Sequence, residues 1–368
     1  MHYRIGVYIV EDTKVKKSKI RELLDFDIEK LKNLKNKKNK KQKEVKTKEK
    51  KDKIVSFDID EDYIKIVEGK YYKNELIVYR CAEVKTPANC IDDGKIINKE
   101  ALVKTLKEAL TANRIRAKYA SITTNSTQII NREITIPKVE DDELNTVINY
   151  EISRYLPINL NDHIVEVLML GEVEVDGEKK QKVYTICYPE KIARSYFELL
   201  EALKLKPYCL DVKFNSLNKI VNYSQEINRL QYHIEDSNIF INIGAVSTDI
   251  NIYKNGKIDF TRIIKQGYKT LAEYEKNNNN ESGADQLIEE LERIVQFYKN
   301  RVRGTQIRRI YLLGEGSRVE NLDKYMSKRL GITVEKVRDI GYIELKNKEK
   351  YGDEIYKYLN AIGTIIRL

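Results

Sequence analysis

The chain has no tryptophan, only three histidines and only four cysteines in 368 residues. So few histidines argue against a histidine-ligated metal centre and against a histidine-based catalytic triad. The cysteines are Cys81, Cys90, Cys187 and Cys209, and no two stand at CxxC spacing. With no secretion signal either, they read as reduced thiols in a cytoplasm. The opening MHYRIGVYIVED is too short and too interrupted for a signal peptide. No apolar run approaches the ~18–20 residues that a membrane helix needs. What the chain has in plenty is lysine, asparagine, isoleucine and tyrosine. That usage reads as the codon bias of an AT-rich genome, so the tyrosines as a class carry no functional argument.

The charge is uneven. Sixty-seven Lys and Arg stand against 57 Asp and Glu, a formal net charge of +10. Residues 1–53 hold 19 of the basic and 9 of the acidic side chains, so the whole excess sits there. The remainder holds 48 of each and is balanced. A basic head on a neutral body is not a basic groove, so nucleic acid is not an expected partner. Within the head, Tyr3–Val10 alternates like a strand, and Ile20, Leu23, Leu24, Ile28 and Leu31 recur at helical spacing. From Lys30 to Lys53 there are 13 basic residues against Glu44, Glu49 and Asp52. No core can be built from that stretch. It reads as a solvated tether, with attraction to anionic lipid as the functional alternative.

From residue 54 the pattern is globular, and the length allows two domains. Strands are expected in KIVSFDIDEDYIKIVEG, NELIVYRCAEV, KYASITT and TQIINREITIP. Others are expected at 163–170, 182–187, PYCLDV, 238–243, 248–253, 257–264 and RRIYLLG. Between them helices are expected at 99–114, 139–155, 190–204, 214–230, 284–301 and 319–329, with a closing helix at 352–365 and a loop at Asn277–Asn280. VDGEKK marks a turn, and Pro157 ends the 139–155 helix. This order means α/β with mixed sheets.

An internal repeat sharpens the reading. SFDID at 56–60 and FINIG at 240–244 each open a strand–turn–strand–turn–strand run, 184 residues apart. Asp58 corresponds to Asn242 and Asp60 to Gly244. Asn74 and the Asn255–Gly256 pair mark a later turn of each run. A duplication would place the two first turns across a cleft from one another. Paired turns of this kind, each led by a carboxylate, are the phosphate clamp of the actin, Hsp70 and sugar-kinase ATPases. Glycines and hydroxyls there let backbone N–H groups approach phosphate, and the carboxylates order Mg²⁺-bound water. A glycine-rich loop, here Leu313 to Ser317, would lie beneath the adenosine.

Longer stretches resemble the PilM proteins of type IV pilus assembly, relatives of the cell-division actin FtsA. The stretches are NREITIPKVEDDEL with YEISRYLPINL, KIARSYFELLEALKLKPYCLDV, INIGAVSTDINIYKNGKIDFTR, GEGSRVENLDKYMSKRLGI and the final NAIGTIIRL. The resemblance spans about residues 54–368. It implies a duplicated actin-like (ribonuclease H-like) ATPase fold with an inserted small α/β subdomain and a basic N-terminal extension. The expected divisions are 1–53, then 54–235 with an insert at about 137–207, then 236–368. The nucleotide positions it implies are Asp58, Lys65, Asn242, Gly244, Ser247, Thr248, Gly314, Gly316 and Ser317, holding ATP with Mg²⁺ where the site is retained. It also implies a partner, the cytoplasmic tail of the inner-membrane protein PilN, bordered here by Tyr150, Tyr155, Leu156, Pro157 and Ile158. The pilus motor ATPase and platform proteins are further implied partners. The implied location is cytoplasmic, peripheral to the inner face of the cell membrane.

The departures from the family pattern bear on activity. The first loop reads Asp60, Glu61, Asp62, Tyr63 where the family has glycine and serines, and Asn242 stands where it has aspartate. Carboxylates a few ångströms from a polyphosphate cost on the order of a few kcal/mol per pair at an effective dielectric of ~20. The segment from Thr270 to Ala284 is shorter than the family's adenine-covering region. The expectation is a degenerate ATPase that works as a scaffold. Two alternatives stay open, an active actin-family ATPase and an FtsA-like membrane-tethered filament protein. FtsA carries its anchor at the C-terminus, and Ile366, Arg367 and Leu368 leave no room for one here.

Overall fold

Strand β1 (Ile54–Ile59) is buried along its whole length, as a central strand covered on both faces must be. The computed structural model describes residues 51–139, 141–156, 158–269, 282–301 and 306–367. The strand and helix expected in the head, the lysine-rich connector up to Lys50, the Asn277–Asn280 loop and Pro157 lie outside the described residues.

β2 (Tyr63–Tyr72) and β3 (Glu75–Lys85) complete an antiparallel meander with β1. A small hairpin of β4 (Ile91–Asp92) and β5 (Lys95–Ile96) leads to α1 (Lys99–Ala112). The Asn98 side chain caps that helix by accepting from the Ala101 N–H at 3.0 Å. β6 (Tyr119–Thr124) runs parallel to β1. Next come β7 (Ile130–Pro137), α2 (Asp141–Tyr155), β8 (His163–Val175) and β9 (Glu178–Pro189). These three strands form a separate antiparallel sheet in the order β7-β9-β8, with α2 packed on one face. α3 (Glu190–Ala202), β10 (Lys206–Val212) and α4 (Lys213–Ser224) return to the first sheet.

After a hairpin of β11 (Glu226–Ile227) and β12 (Leu230–Gln231), a second meander starts with β13 (Ser237–Ile243), β14 (Thr248–Lys254) and β15 (Lys257–Ile264). α5 (Ser282–Arg301), β16 (Ile307–Leu313), α6 (Leu322–Leu330) and β17 (Val334–Lys336) follow. β18 (Ile343–Leu345), α7 (Lys348–Tyr351) and α8 (Leu359–Gly363) close the described chain.

The duplication expected from the sequence is present in the sheet orders. β10-β6-β1-β2-β3 and β17-β16-β13-β14-β15 have the same connectivity, each with one antiparallel meander and two parallel strands. The register repeats as well. Asp58 pairs with Lys65 in the first meander, and Asn242 pairs with Asp249 in the second. The turns share a hydrogen bond, from Asp60 N–H to Tyr63 O at 3.2 Å and from Gly244 N–H to Ser247 O at 2.9 Å. The second hairpin of each meander turns on two left-handed residues, Lys73–Asn74 and Asn255–Gly256, as a tight right-twisted hairpin requires.

Three differences from the expected elements have local causes. The 214–230 helix stops at Ser224, because Gln225 adopts a left-handed φ of 51° and the chain turns into the β11–β12 hairpin. The VDGEKK turn shrinks to Asp176–Gly177, both left-handed, so β8 and β9 run on to meet it. The closing helix expected at 352–365 is a 3₁₀ stretch at Gly352–Lys357 followed by α8, with the short α7 just ahead of it. Although this closing segment follows the second sheet in sequence, it packs on the first. β18 adds to β3, and α8 lies against α4, β1, β2 and β6.

Candidate functional site

Both first turns open onto one cleft at the ends of β1 and β13. Of the residues singled out for nucleotide, Asp58, Lys65, Asn242, Gly244, Ser247 and Gly314 line it together. The other three are placed elsewhere. The Thr248 hydroxyl is buried and donates to Gln266 O at 2.7 Å. Ser317 turns back to Gly314 O at 2.7 Å. Gly316 sits so close to Ile243 that a Cβ would lie 2.2 Å from its Cγ2. Gly314 is required by its φ of +80° and by the Asn242 side chain beside it.

The cleft is crossed by side chains of its own. Lys213, the first residue of α4, places its Nζ 2.5 Å from Asp60 Oδ2 and 3.7 Å from Asp58 Oδ1, with its side chain only 4% exposed. Asn360 donates to Asp58 Oδ2 at 3.2 Å. Asp249 accepts from Asn125 at 2.9 Å and from Asn242 at 3.3 Å, which joins the first sheet to the second. Nearer the mouth, Lys65 bridges Glu83 and Glu315 at 2.5 and 3.3 Å. Lys357 reaches the same two carboxylates at 3.9 and 3.8 Å, and Lys269 holds Asp62 at 2.7 Å.

These contacts set the protonation. Burial pushes Asp58 up to about 6 from 3.8, with Asp60 adding repulsion and Lys213 pulling the other way. Burial also raises Asp249, aided by Asp60, while Lys213 and the two amides oppose it. Lys213 is desolvated too, but Asp58, Asp60 and Asp249 outweigh that and hold it charged. Glu83 is likewise desolvated, yet Lys65 and Lys357 keep it below the usual range.

A magnesium nucleotide does not fit this arrangement. The space between the paired turns is about 40 Å³ and adjoins a second opening that shares Asp60, Glu61, Val246 and Ser247 with it. This second opening, across Lys213, is wider, about 280 Å³. Its walls carry Asp60, Glu61, Asp92, Asp93 and Asp249 against Lys213 and Lys265, a negative balance that repels polyphosphate. Sequence reasoning missed Lys213, Asp249, Asn125, Lys357 and Asn360, and it placed Glu315 only as part of the glycine-rich loop. One signal was available for Lys213: a lysine opening a helix opposes the helix dipole, and such a placement asks for a nearby anion.

The residues singled out for a partner divide into two groups. Tyr150 and Tyr155 are 62% and 50% exposed on the outer face of α2. Leu156 and Ile158 pack partly buried against the core of the three-stranded sheet. The Arg132 guanidinium lies 5.0 Å from the Tyr155 ring centroid, and that of Arg154 lies 5.7 Å from both tyrosine rings.

Two sheets of repeated topology, meeting at paired turns with a closing helix beneath, define an actin-like ATPase fold. Within that class the chain belongs to the type IV pilus assembly protein PilM family, whose model matches residues 56–275. Among solved structures it is similar to a PilM–PilN type IV pilus biogenesis complex, at 21% identity and a TM-score of 0.70, over 85% of this chain and 98% of that one. It is also similar to the ethanolamine utilization protein EutJ from Carboxydothermus hydrogenoformans, at 14% identity and a TM-score of 0.48, over 84% and 88% of the two chains. No curated protein matches the chain.

Proposed function

We propose that this chain is a cytoplasmic scaffold of type IV pilus assembly that binds the cytoplasmic tail of a PilN-like inner-membrane protein and does not turn over nucleotide. The observation that carries the reading is the cleft, where the Lys213 ammonium is taken up by Asp60 and Asp58 and carboxylates outnumber lysines along both openings. A member of an actin-like family without a working nucleotide cleft is left with recognition as its task. The solved relative in complex with PilN supports the choice of partner. The surface for the tail is the outer face of α2, where two exposed tyrosines and two guanidiniums present the residue types that dominate binding energy at interfaces. Main-chain pairing by an extended tail would add affinity without demanding much of the side chains.

Calorimetry tests the two parts separately. MgATP is expected to bind no tighter than ~100 μM, about −5.5 kcal/mol. A tail peptide from the PilN-like protein is expected to bind the wild-type chain. Tyr155→Ala should weaken that binding about tenfold with an unchanged melting temperature, because half of the ring is already in water. An affinity for the tail that ignores Tyr155 would move the surface elsewhere.

A further inference from the structure

We propose that the end of the first sheet opposite the cleft is a docking face for an anionic lipid bilayer, which lays the folded body on the headgroups in one orientation.

β1 begins at this end and finishes at the cleft. Its first residue, Ile54, pairs with Gly69 near the end of β2 and with Tyr119 at the start of β6, and Tyr119 pairs with Lys206 at the start of β10. Four chain segments therefore meet here, 51–53, 70–75, 114–118 and 204–206. Together they hold nine Lys and Arg against two acids, Asp52 and Glu75. Lys51, Lys73, Lys118 and Lys206 are exposed. The nearby Glu68 is buried and held by Arg80 at 2.5 Å. The ammonium groups of Lys51, Lys70 and Lys73 lie 5.7, 5.2 and 5.7 Å from the centroid of one ring, Tyr72. Like charges gathered on one ring repel one another, and a sheet of anionic headgroups over them replaces that repulsion with attraction. The body is balanced as a whole, so its charge is sorted along β1. Lysines stand where the strand begins, and Asp60, Glu61, Asp92 and Asp93 line the cleft where it ends.

Two apolar side chains favour a bilayer over other polyanions. Tyr342 is 72% exposed and held at a left-handed φ of 60°, which a bulky residue adopts only under constraint. It is fixed beside the β2–β3 turn, where the Tyr223 hydroxyl lies 3.2 Å from both Asn74 O and Tyr342 O. The neighbouring β11–β12 hairpin accepts the Gly341 N–H at Glu226 O, 3.0 Å away, and leaves Leu230 51% exposed. A tyrosine and a leucine in water beside a band of lysines match the boundary between headgroups and acyl chains, where an amphipathic ring keeps one end apolar and the other wet. The basic head joins the body at the start of β1, within this face. Head and face then act on one bilayer, and neither has to hold it alone.

The absence of tryptophan gives a direct test in the full chain. With Tyr342→Trp, the single indole should shift its emission to shorter wavelength on vesicles of phosphatidylglycerol mixed with phosphatidylcholine, and stay unchanged on phosphatidylcholine alone. Phe297→Trp, at a site 54% exposed on α5, should shift on neither. Separately, the triple variant Lys73→Glu, Lys118→Glu, Lys206→Glu should co-sediment with the mixed vesicles about tenfold more weakly or worse, with an unchanged melting temperature. The charge-matched triple variant Lys299→Glu, Lys324→Glu, Lys328→Glu, on α5 and α6, should lose far less.

Equal losses in the two triple variants overturn the proposal, because net charge alone then explains them. So does an indole from Tyr342→Trp that stays in water while the chain sediments, or one that shifts no more than that from Phe297→Trp. A first triple variant that melts lower yet sediments as the wild type does assigns these lysines to the ends of α1 and α3. One that loses a DNA oligonucleotide and keeps the vesicles assigns the face to nucleic acid. If that variant does not fold, the two single-indole proteins still decide.

Discussion

Two carboxylates, the buried Asp58 and the half-buried Glu166, give this protein a pH response with a defined sign. Asp58 is raised to about 6 by burial, so ionising it costs more in the folded chain than in the unfolded one. Its contribution to stability is complete below about 3.8 and is lost as the pH rises through about 6, on the order of 3 kcal/mol by its end. Asp58→Asn should flatten the decline in melting temperature across that window. Thermal melts in steps of pH check this, and equal slopes in both proteins would contradict the assignment. Glu166 behaves alike in a higher window. It lies on β8 on the face shared with Ile164 and Leu168, has no ion pair among the described residues, and is pushed up to about 8 by burial. Its contribution is complete below about 4.5 and lost as the pH rises through about 8. Glu166→Gln should raise the melting temperature at pH ~8.5 and leave it unchanged at pH ~4. The sequence hides this residue. Val165-Glu166-Val167 reads as a strand with a solvated glutamate, but here one face of β8 meets α2 and the other meets the main core.

The longer strands are the elements that the sequence made legible, because hydrophobic runs between turn residues mark both ends; the two- and three-residue strands β4, β5, β11, β12, β17 and β18 were not expected. The repeat was legible for the same reason: Asp58 and Asn242, and the turns after them, keep their spacing. Helix ends were harder, since Gln225 stops α4 in a left-handed conformation with no glycine or proline to announce it. The return of α8 to the first sheet was not legible at all, because nothing in NAIGTIIRL names its partner. In the structure Gly363 does. A Cβ there would stand 1.9 Å from Ser216 O of α4, so the two helices touch backbone to backbone. Asn360 meets Asp58 one turn away, and the Thr364 hydroxyl bonds that of Ser56. Gly363→Ala should therefore destabilise by about 1–3 kcal/mol or more, seen as a lower denaturant midpoint. Because α8 carries Asn360 to Asp58, the acid branch of the pH profile should shift in the same variant. A loss of stability below about 0.5 kcal/mol would mean that α8 can slide away from α4 at little cost.

At the scale of the whole chain, the charge is divided in a way that folding does not require. The excess of ten positive charges sits in residues 1–53, and no described helix is long and apolar enough to cross a membrane. The join between head and body is itself anchored. Lys53 lies 3.9 Å from Glu68 and 3.8 Å from the Tyr79 ring centroid, just before β1 begins. A lysine-rich tether that leaves a neutral body from a fixed point is suited to an anionic lipid surface, where each lysine near the headgroups contributes ~1 kcal/mol. Under the proposed function, a partner tail emerging from such a membrane would find α2 held close to it, and the effective concentration would rise without any new contact. Removing residues 1–53 should abolish co-sedimentation with vesicles containing anionic lipid and leave the affinity for a free tail peptide unchanged. Raising the salt should weaken the wild-type sedimentation as the charges are screened, with a Debye length of ~8 Å at physiological ionic strength. If truncation instead tightens tail binding and leaves sedimentation as it was, the head competes for the tail surface, and the lipid is held by the body of the protein.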